Sequence, residues 1–430
     1  RNTIFVAASA LIASMEPPVL LVLEDAHWID PSTLELLDRV IKAPGGGRMA
    51  LILTRPGGDR DWSRTVDVSI ALGRLAGSDC RALVEAVAGC AVEASLVSKI
   101  DAATDGLPLY VEEYTKALIE SGVVRRQRGV LRAVRLEASV ETPGSLLDLI
   151  TSRLDLLGGA KVMAQIAAVL GRSLDAAELI AVSGRPPVEV AAALESLEEA
   201  GILTRGESGR PTFRHALYQK AAYESLLRSA RRTWHRRYLD WLRGAPERLA
   251  NVRPETIAFH LEACGDHAAA AERFIEAGLA ANRASASLEA AAHFRRASDL
   301  LAKTPDPMLV AVQRLQAQVL LAGALLSARG PGSPETRTAY DEALRLAEVT
   351  PECDWHLAAY WGWWRVSDSF ATMASRAARI LTASERMEGL EFRLQAHHCV
   401  WANSFQRGEL KTSETSAREG LSLYETGRFE

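Results

Sequence analysis

Two acidic residues at the end of a short apolar run are the strongest chemical signal in the sequence. Residues 20–23 read Leu-Leu-Val-Leu, and Glu24 and Asp25 follow directly. An unbroken apolar run of this length is typical of a strand buried on both faces of a parallel sheet. Such sheets bind ligands at the carboxyl ends of their strands, where one acid can hold Mg²⁺ and the next can orient an attacking water. The alternative for this pattern alone is a strand that ends in a solvated turn.

The residues around these acids predict a strand–helix–strand unit. Asp30 is a favourable N-cap, and Pro31 suits the first position of the helix that follows. A second apolar run, Met49–Thr54, predicts another buried strand that ends at Arg55. Strand, helix and strand within about 35 residues form one right-handed βαβ unit of a parallel sheet.

The stretch Leu23–Ser32 reads Leu-Glu-Asp-Ala-His-Trp-Ile-Asp-Pro-Ser. It resembles the Walker B region of the signal-transduction ATPases with numerous domains (STAND), whose ATPase module is of the AAA type. More narrowly, it resembles the module fused to bacterial class III adenylate cyclases and to LuxR-type regulators. The resemblance implies that Glu24 and Asp25 are catalytic and bind Mg²⁺ together with the nucleotide. It also implies that Thr54 and Arg55 sense the γ-phosphate, where an arginine would stabilise the transferring charge. Pairing of Arg55 with a surface carboxylate is the alternative.

Two later segments are similar to other parts of the same family. Asp105-Gly-Leu-Pro resembles its Gly-x-Pro motif, which implies that Gly106 and Pro108 shape a turn against the adenine. A plain loop-to-helix turn explains both residues equally well. His215 follows a predicted hairpin, and the resemblance implies that it reaches back to a bound diphosphate. A histidine at a helix start is also an ordinary cap or surface partner.

The middle of the chain predicts a winged-helix module without DNA-binding character. Helices are expected between residues 145 and 200, and two short strands flank the turn Gly206–Gly209. The helix that would read DNA, Val188–Ala200, carries four glutamates and no lysine or arginine. Acids facing phosphates repel them, so we expect a structural, interdomain role. The basic stretch Arg228–Arg237 is expected to be a solvated face or to contact acidic helices.

The remaining sequence predicts paired helices. Phe274, Phe294 and Tyr340 are each followed three residues later by alanine, as close helix packing requires. The pattern resembles degenerate tetratricopeptide (TPR) repeats. The predicted fold is an α/β N-terminal fragment of the P-loop NTPase type, then a winged helix and TPR-like repeats, predominantly α overall. The expected divisions are residues 1–70 (end of the ATPase core), 71–140 (helical lid), 141–225 (winged helix) and 226–430 (repeats).

Composition is that of a globular protein. The 430 residues are 48% hydrophobic and 24% charged, and the formal net charge of −4 gives no electrostatic reason to expect nucleic-acid binding. No apolar run reaches the length of a membrane span. The five cysteines are scattered, which fits a reducing compartment. We therefore expect a cytoplasmic protein that contacts neither membrane nor nucleic acid.

The phosphate-binding loop of an ATPase, Gly-x-x-x-x-Gly-Lys-Ser/Thr, does not occur in these residues. The expectation is a fragment of a longer protein. That longer protein would bind ATP together with Mg²⁺ and hydrolyse the ATP, whereas this fragment would bind neither tightly. The predicted function is a regulatory ATPase and scaffold segment, associated with an adenylate cyclase, that binds protein partners through its repeats. One alternative is the centre of a LuxR-type transcriptional regulator with a DNA-binding domain elsewhere in its chain. The other is a repeat interaction module with a non-functional nucleotide site.

Overall fold

The computed structural model describes residues 2–13, 19–24, 26, 29–42, 49–53, 68–134, 144–206, 209–387 and 389–426. The chain divides into two compact units: Arg1–Thr65 together with Ala250–Glu430, and Val66–Leu249. Helices dominate both units, so the prediction of a predominantly α chain is confirmed. The finer division into four functional domains stays a prediction. Within the described ranges, no helix combines the length and apolarity that crossing a bilayer requires.

The N-terminal segment contains the predicted strand–helix–strand unit. Its elements are α1 (Asn2–Ala13), β1 (Val19–Leu23), α2 (Pro31–Lys42) and β2 (Met49–Leu53). The two strands pair in parallel, with Leu23 opposite Leu53. Asp30 caps α2 by accepting a hydrogen bond from the Thr33 amide at 2.8 Å.

One expectation about this segment is wrong. β1 is not buried on both faces, because Leu20 is 61% exposed and Val22 is 48% exposed. The physical reason is that the described part of the sheet has two strands, and nothing described covers the face that carries these two side chains.

The first part of the second unit is a small α/β layer. It comprises α3 (Gly77–Ala88), β3 (Ala91–Val92), α4 (Ala94–Thr104), α5 (Pro108–Glu120), β4 (Val124–Gln127) and β5 (Val130–Ala133). β4 and β5 form an antiparallel hairpin, and β3 pairs in parallel with β5. A common apolar core holds these elements together and includes Val84, Ile100 and Val111.

The second part of this unit has the helix order and hairpin predicted for a winged helix. Its elements are α6 (Leu146–Leu156), α7 (Gly159–Leu170), α8 (Ala176–Ser183), α9 (Pro187–Glu199), β6 (Leu203–Arg205), β7 (Pro211–Phe213), α10 (Ala216–Glu224) and α11 (Arg228–Arg243). β6 and β7 are antiparallel, with Leu203 opposite Phe213. Both of these side chains are buried, which attaches the hairpin to the helices.

Ten consecutive helices then follow to the end of the described chain. They are α12 (Pro246–Asn251), α13 (Pro254–Ala263), α14 (His267–Arg283), α15 (Ser287–Leu301), α16 (Ala311–Arg329), α17 (Pro334–Ala347), α18 (Trp355–Arg365), α19 (Phe370–Ser384), α20 (Leu390–Gln406) and α21 (Leu410–Thr426). From α13 onward, neighbours in sequence are neighbours in space. This is the arrangement of helical repeats, in which each helix buries its apolar face against the next.

Glycines allow the close approach of the aromatic residues in these repeats. Phe294 and Tyr340 are buried, as are the alanines that follow them, Ala297 and Ala343. A Cβ at Gly362 in α18 would lie 1.9 Å from the Tyr340 ring, far inside contact distance. The aromatic-and-small pattern therefore continues across to the facing helix, where glycine leaves room for the ring.

Replacing this glycine tests the packing. We expect Gly362→Ala to lower the free energy of unfolding by about 1–3 kcal/mol, because the added methyl overpacks a filled contact. The matched change Gly323→Ala, in α16, meets nothing within 4 Å. It should stabilise the chain by up to about 1 kcal/mol, since alanine favours helix over glycine. Urea unfolding of both variants checks this. Equal effects of the two changes would contradict the packing account.

A buried histidine gives the second unit a pH dependence. His235 in α11 is fully buried, and its Nε2 lies 3.0 Å from the Tyr223 hydroxyl. Burial, and then the nearby charge of Arg231, lower its pKa from 6.5 to about 4. The unfolded chain therefore binds a proton more readily, and stability is lost as the pH falls from 6.5 towards 4.

Below pH 4, the free energy of unfolding should be lower than at neutral pH by up to about 3 kcal/mol. The expected signature is the difference between the wild type and His235→Gln, which can still hydrogen-bond to Tyr223 but does not titrate. Urea unfolding at several pH values should show that the variant loses less stability across this window. Parallel pH profiles for the two proteins would rule out the assignment.

Candidate functional site

The predicted Gly-x-Pro turn is fixed against the segment that precedes α3. Asp105 and Gly106 both have left-handed backbone conformations, with φ of 53° and 65°. The Leu75 amide donates a hydrogen bond to the Gly106 carbonyl at 2.8 Å. A Cβ on Gly106 would lie 2.8 Å from the Leu75 oxygen, so glycine is required here. Pro108 then opens α5 at its first turn.

Helix α5 carries a fully buried carboxylate that binds an arginine of the winged helix. Glu113 has no exposed surface, and Arg153 of α6 is 5% exposed. The Arg153 guanidinium binds Glu113 through Nη1. It also donates to both oxygens of Glu120, near the end of α5, at 3.0 Å and 2.7 Å. One arginine thus binds two turns of α5.

The cluster compensates for the cost of burying its charges. Burial alone would lower the pKa of Arg153, but its hydrogen bonds to Glu120 and the charge of Glu113 outweigh burial and raise it. Arg153 also donates to the Ala200 carbonyl at 3.1 Å, just after α9. Lys116 adds a second cation, 3.0 Å from Glu113. A buried ion pair of this kind is costly to break, because either partner left alone is an uncompensated charge.

A tyrosine from a third helix faces the same carboxylate. Tyr218 of α10 is 1% exposed, and its hydroxyl has no hydrogen-bond partner of good geometry among the described residues. Burial, followed by the charge of Glu113, raises the pKa of Tyr218, so it stays protonated. The phenol therefore keeps a proton that it can donate if Glu113 shifts slightly.

The neighbouring acid connects α5 to the end of the wing. The Oε1 atom of Glu112 lies 3.2 Å from the Nη2 atom of Arg214, the residue before His215. Burial alone would raise the pKa of Glu112, but hydrogen bonding by Lys116 and the charge of Arg214 lower it. The structure therefore brings α5, which begins at Pro108, close to the residue that precedes His215. The exposed His215 caps α10, its Nδ1 accepting a hydrogen bond from the Leu217 amide at 3.1 Å.

The other predicted site residues lie at the sheet. Glu24 occupies an exposed turn directly after β1. Because Leu23 pairs with Leu53, the chain leaves β1 and β2 at the same edge. Asp25, Thr54 and Arg55 lie outside the described residues. In the part of the chain that the structure describes, no cluster of three histidine, cysteine or acidic side chains could hold a metal ion.

Sequence reasoning missed the buried cluster, although one signal points to it. Leu149, Ile150 and Leu154 form the buried face of α6, and Arg153 lies on that same face. A cation at an apolar helix position needs a buried anion. Which anion it binds could not be read from the sequence, because Glu113 lies 40 residues earlier.

The chain has recognisable relatives. No protein-family model matches it. An uncharacterized protein of Rhizobium meliloti (strain 1021) is 28% identical over 444 aligned residues, which cover 98% of this chain and 42% of that protein. The chain therefore spans less than half of this relative's length.

Two solved structures are similar over most of the chain. One is a STAND protein with a tetratricopeptide repeat sensor from Pyrococcus horikoshii, with a TM-score of 0.40 and 13% identity, covering 99% of this chain and 65% of that one. The other is aspartyl phosphate phosphatase F from Bacillus subtilis, with a TM-score of 0.35 and 12% identity, covering 83% and 77%.

Removing the arginine from the buried cluster should be costly. We expect Arg153→Met to lower the free energy of unfolding of the second unit by about 3–5 kcal/mol, because Glu113 is left buried without its main cation. Arg185→Met is the matched control, since Arg185 forms an exposed pair with Glu189. Exposed pairs contribute at most about 1 kcal/mol.

The double variant Arg153→Met with Glu113→Gln completes the test. Removing both charges should recover part of the loss, because the fully buried position 113 then carries no charge. Urea unfolding measures all three variants. A loss for Arg153→Met no larger than that for Arg185→Met would show that the cluster does not stabilise this junction.

Proposed function

We propose that the chain is the regulatory segment of a nucleotide-dependent signalling ATPase, which couples nucleotide state to a winged helix and a helical-repeat scaffold. The observation that supports this most strongly is the buried cluster of Glu113, Arg153 and Glu120. It joins the helix that starts at the Gly-x-Pro turn to the winged helix. A change at that turn would move Glu113 in the same helix, and Arg153 of α6 would respond through its ion pair with Glu113.

The cofactors of this proposal are ATP and Mg²⁺. Glu24 and Asp25 would hold the ion, because carboxylate oxygens are the protein ligands that Mg²⁺ prefers. The shared edge of β1 and β2 and the exposed position of Glu24 support this role. When bound, Mg²⁺ neutralises charge on the transferring phosphate.

The remaining predicted residues would complete nucleotide recognition. Thr54 and Arg55 follow β2 and would sense the γ-phosphate. Gly106 and Pro108 would shape the turn against the base, and His215 would contact the diphosphate. Glu112 and Arg214 support the last two roles, since their ion pair keeps the turn's helix and the His215 segment close together.

The output that the motif resemblance favours is cyclic AMP synthesis by an associated adenylate cyclase domain. A LuxR-type regulator with a DNA-binding domain is the other output for the same ATPase. Both would use the helical repeats to contact protein partners. The acidic helix α9 supports a role for the winged helix in contacts within or between proteins, rather than in binding DNA.

A repeat interaction module with a non-functional nucleotide site is the second candidate. Exposed aromatic residues on α20 favour it: Trp401 is 36% exposed and Phe405 is 65% exposed. Their four-residue spacing places both on one face of the helix. Aromatic side chains on a repeat surface are frequent anchors for partner proteins.

ATP binding separates the two candidates. The proposal requires a longer polypeptide that carries a phosphate-binding loop. In such a polypeptide, we expect ATP affinity to rise when Mg²⁺ is added. Glu24→Gln or Asp25→Asn should remove most of that rise, because each deletes a charged ligand. The 430-residue chain alone should show no Mg²⁺-dependent binding. Isothermal titration calorimetry measures each case.

Glu35→Gln is the control variant, since Glu35 lies on α2 and pairs with Arg39 of the same helix. It should bind Mg²⁺ and ATP like the wild type. If the loop-containing polypeptide shows no Mg²⁺-dependent ATP binding, the ATPase proposal fails and the interaction module remains.

A further inference from the structure

The helix that would contact DNA in a winged helix has an acidic and partly apolar outer face. Helix α9 exposes Glu195 and Glu199, one turn apart. Val188, which is 80% exposed, and Ala192 lie on the same side of the helix. Counted from Val188, the other three residues of this face follow after four, seven and eleven positions, which is the spacing of one helix face. Among the described residues, neither Glu195 nor Glu199 makes an ion pair.

The last helix of the same unit has the opposite charge. Helix α11 contains six arginines and a single acid. Arg228, Arg232 and Arg236 are exposed and spaced four residues apart, so they form one stripe along the helix. Leu227, beside the stripe, is 77% exposed. This stripe of arginines with Leu227 is the basic face.

Aromatic rings position other arginines beside this face. The Arg237 guanidinium lies 4.8 Å from the centre of the Trp234 ring, and Arg231 lies 4.7 Å from that of Tyr223. Arg231 also donates hydrogen bonds to the backbone carbonyls of Leu226 and Glu224. Stacking holds the Arg237 guanidinium in place while its N–H groups stay available to carboxylates. The basic face is therefore preorganised for acidic partners.

Both faces belong to one compact unit. Their opposite charges indicate that the binding partner of each face is a second copy of the chain. Helices α9 and α11 each pack on α7 and α8, so every copy presents both faces at fixed positions. We propose that the basic face of one copy binds the acidic α9 face of another. The contact joins two different surfaces, so it is heterologous and builds rings or open chains.

Charge favours a protein partner over a nucleic acid. A nucleic acid bound at the basic face would be repelled by the acidic α9 face of the same unit and by the net charge of −4. A second copy instead supplies glutamates for the arginines and buries Leu227 and Val188, the exposed apolar side chains beside each stripe.

Charge-reversal variants of the whole chain test the proposal. One variant carries Arg228→Glu with Arg236→Glu, and the other carries Glu195→Arg with Glu199→Arg. Analytical ultracentrifugation should show that the wild type self-associates, with a Kd that rises at least about tenfold between about 50 mM and about 300 mM salt. Each variant alone should be monomeric, because its two faces then carry like charges. An equimolar mixture should associate again, because each reversed face meets an opposite charge on the other variant.

A matched control reverses the same charge elsewhere on the unit. Arg125 and Arg132 lie opposite each other on the β4–β5 hairpin and are both exposed. Arg125→Glu with Arg132→Glu should associate like the wild type. Circular dichroism confirms that every variant is folded.

Three results would overturn the proposal: a monomeric wild type, a mixture of the two variants that stays monomeric, or equal weakening by the hairpin control. DNA binding by the wild type that the α11 variant loses and the α9 variant keeps would also overturn it, in favour of a nucleic-acid surface.

Discussion

The burial of a charged cluster between three helices constrains the whole second unit. Glu113 is fully buried in α5, Arg153 comes from α6, and Tyr218 of α10 closes the other side. A partial separation would leave a charge in an apolar interior without its partner, which costs several kcal/mol. Separating α5 from α6 is therefore unfavourable. The cluster therefore favours a fixed arrangement of α5 and α6.

The turn at Gly106 sets where this cluster lies. Only glycine fits against Leu75, and Pro108 then fixes the start of α5, so the position of Glu113 follows from the turn. The repeats are held together differently: small residues on one helix leave room for the aromatic rings of the neighbouring helix. Each repeat contact is local, whereas the buried cluster joins residues far apart in sequence. The buried cluster and the helical repeats thus rest on different kinds of interaction.

Local patterns predicted much of the fold. The apolar run before Glu24, the cap at Asp30, the wing hairpin and the paired helices all follow from spacing and turn residues, because these depend on near neighbours. The exposure of Leu20 and Val22 did not follow, since it depends on what covers the sheet. The partner of Arg153 did not follow either, because tertiary packing selects it. Of the candidate site, the turn at Gly106 was predicted, and the charges that connect it to the winged helix were not.

Hydrogen exchange tests most directly whether the cluster makes α5 and α10 open together. The amides of α5 and α10 should exchange through a common opening in the wild type, and Arg153→Met should accelerate both helices by the same factor. The helices of the repeats, such as α16, should be unaffected. Faster exchange in α5 while α10 stays protected would show that the two helices open independently, and the central claim would be wrong.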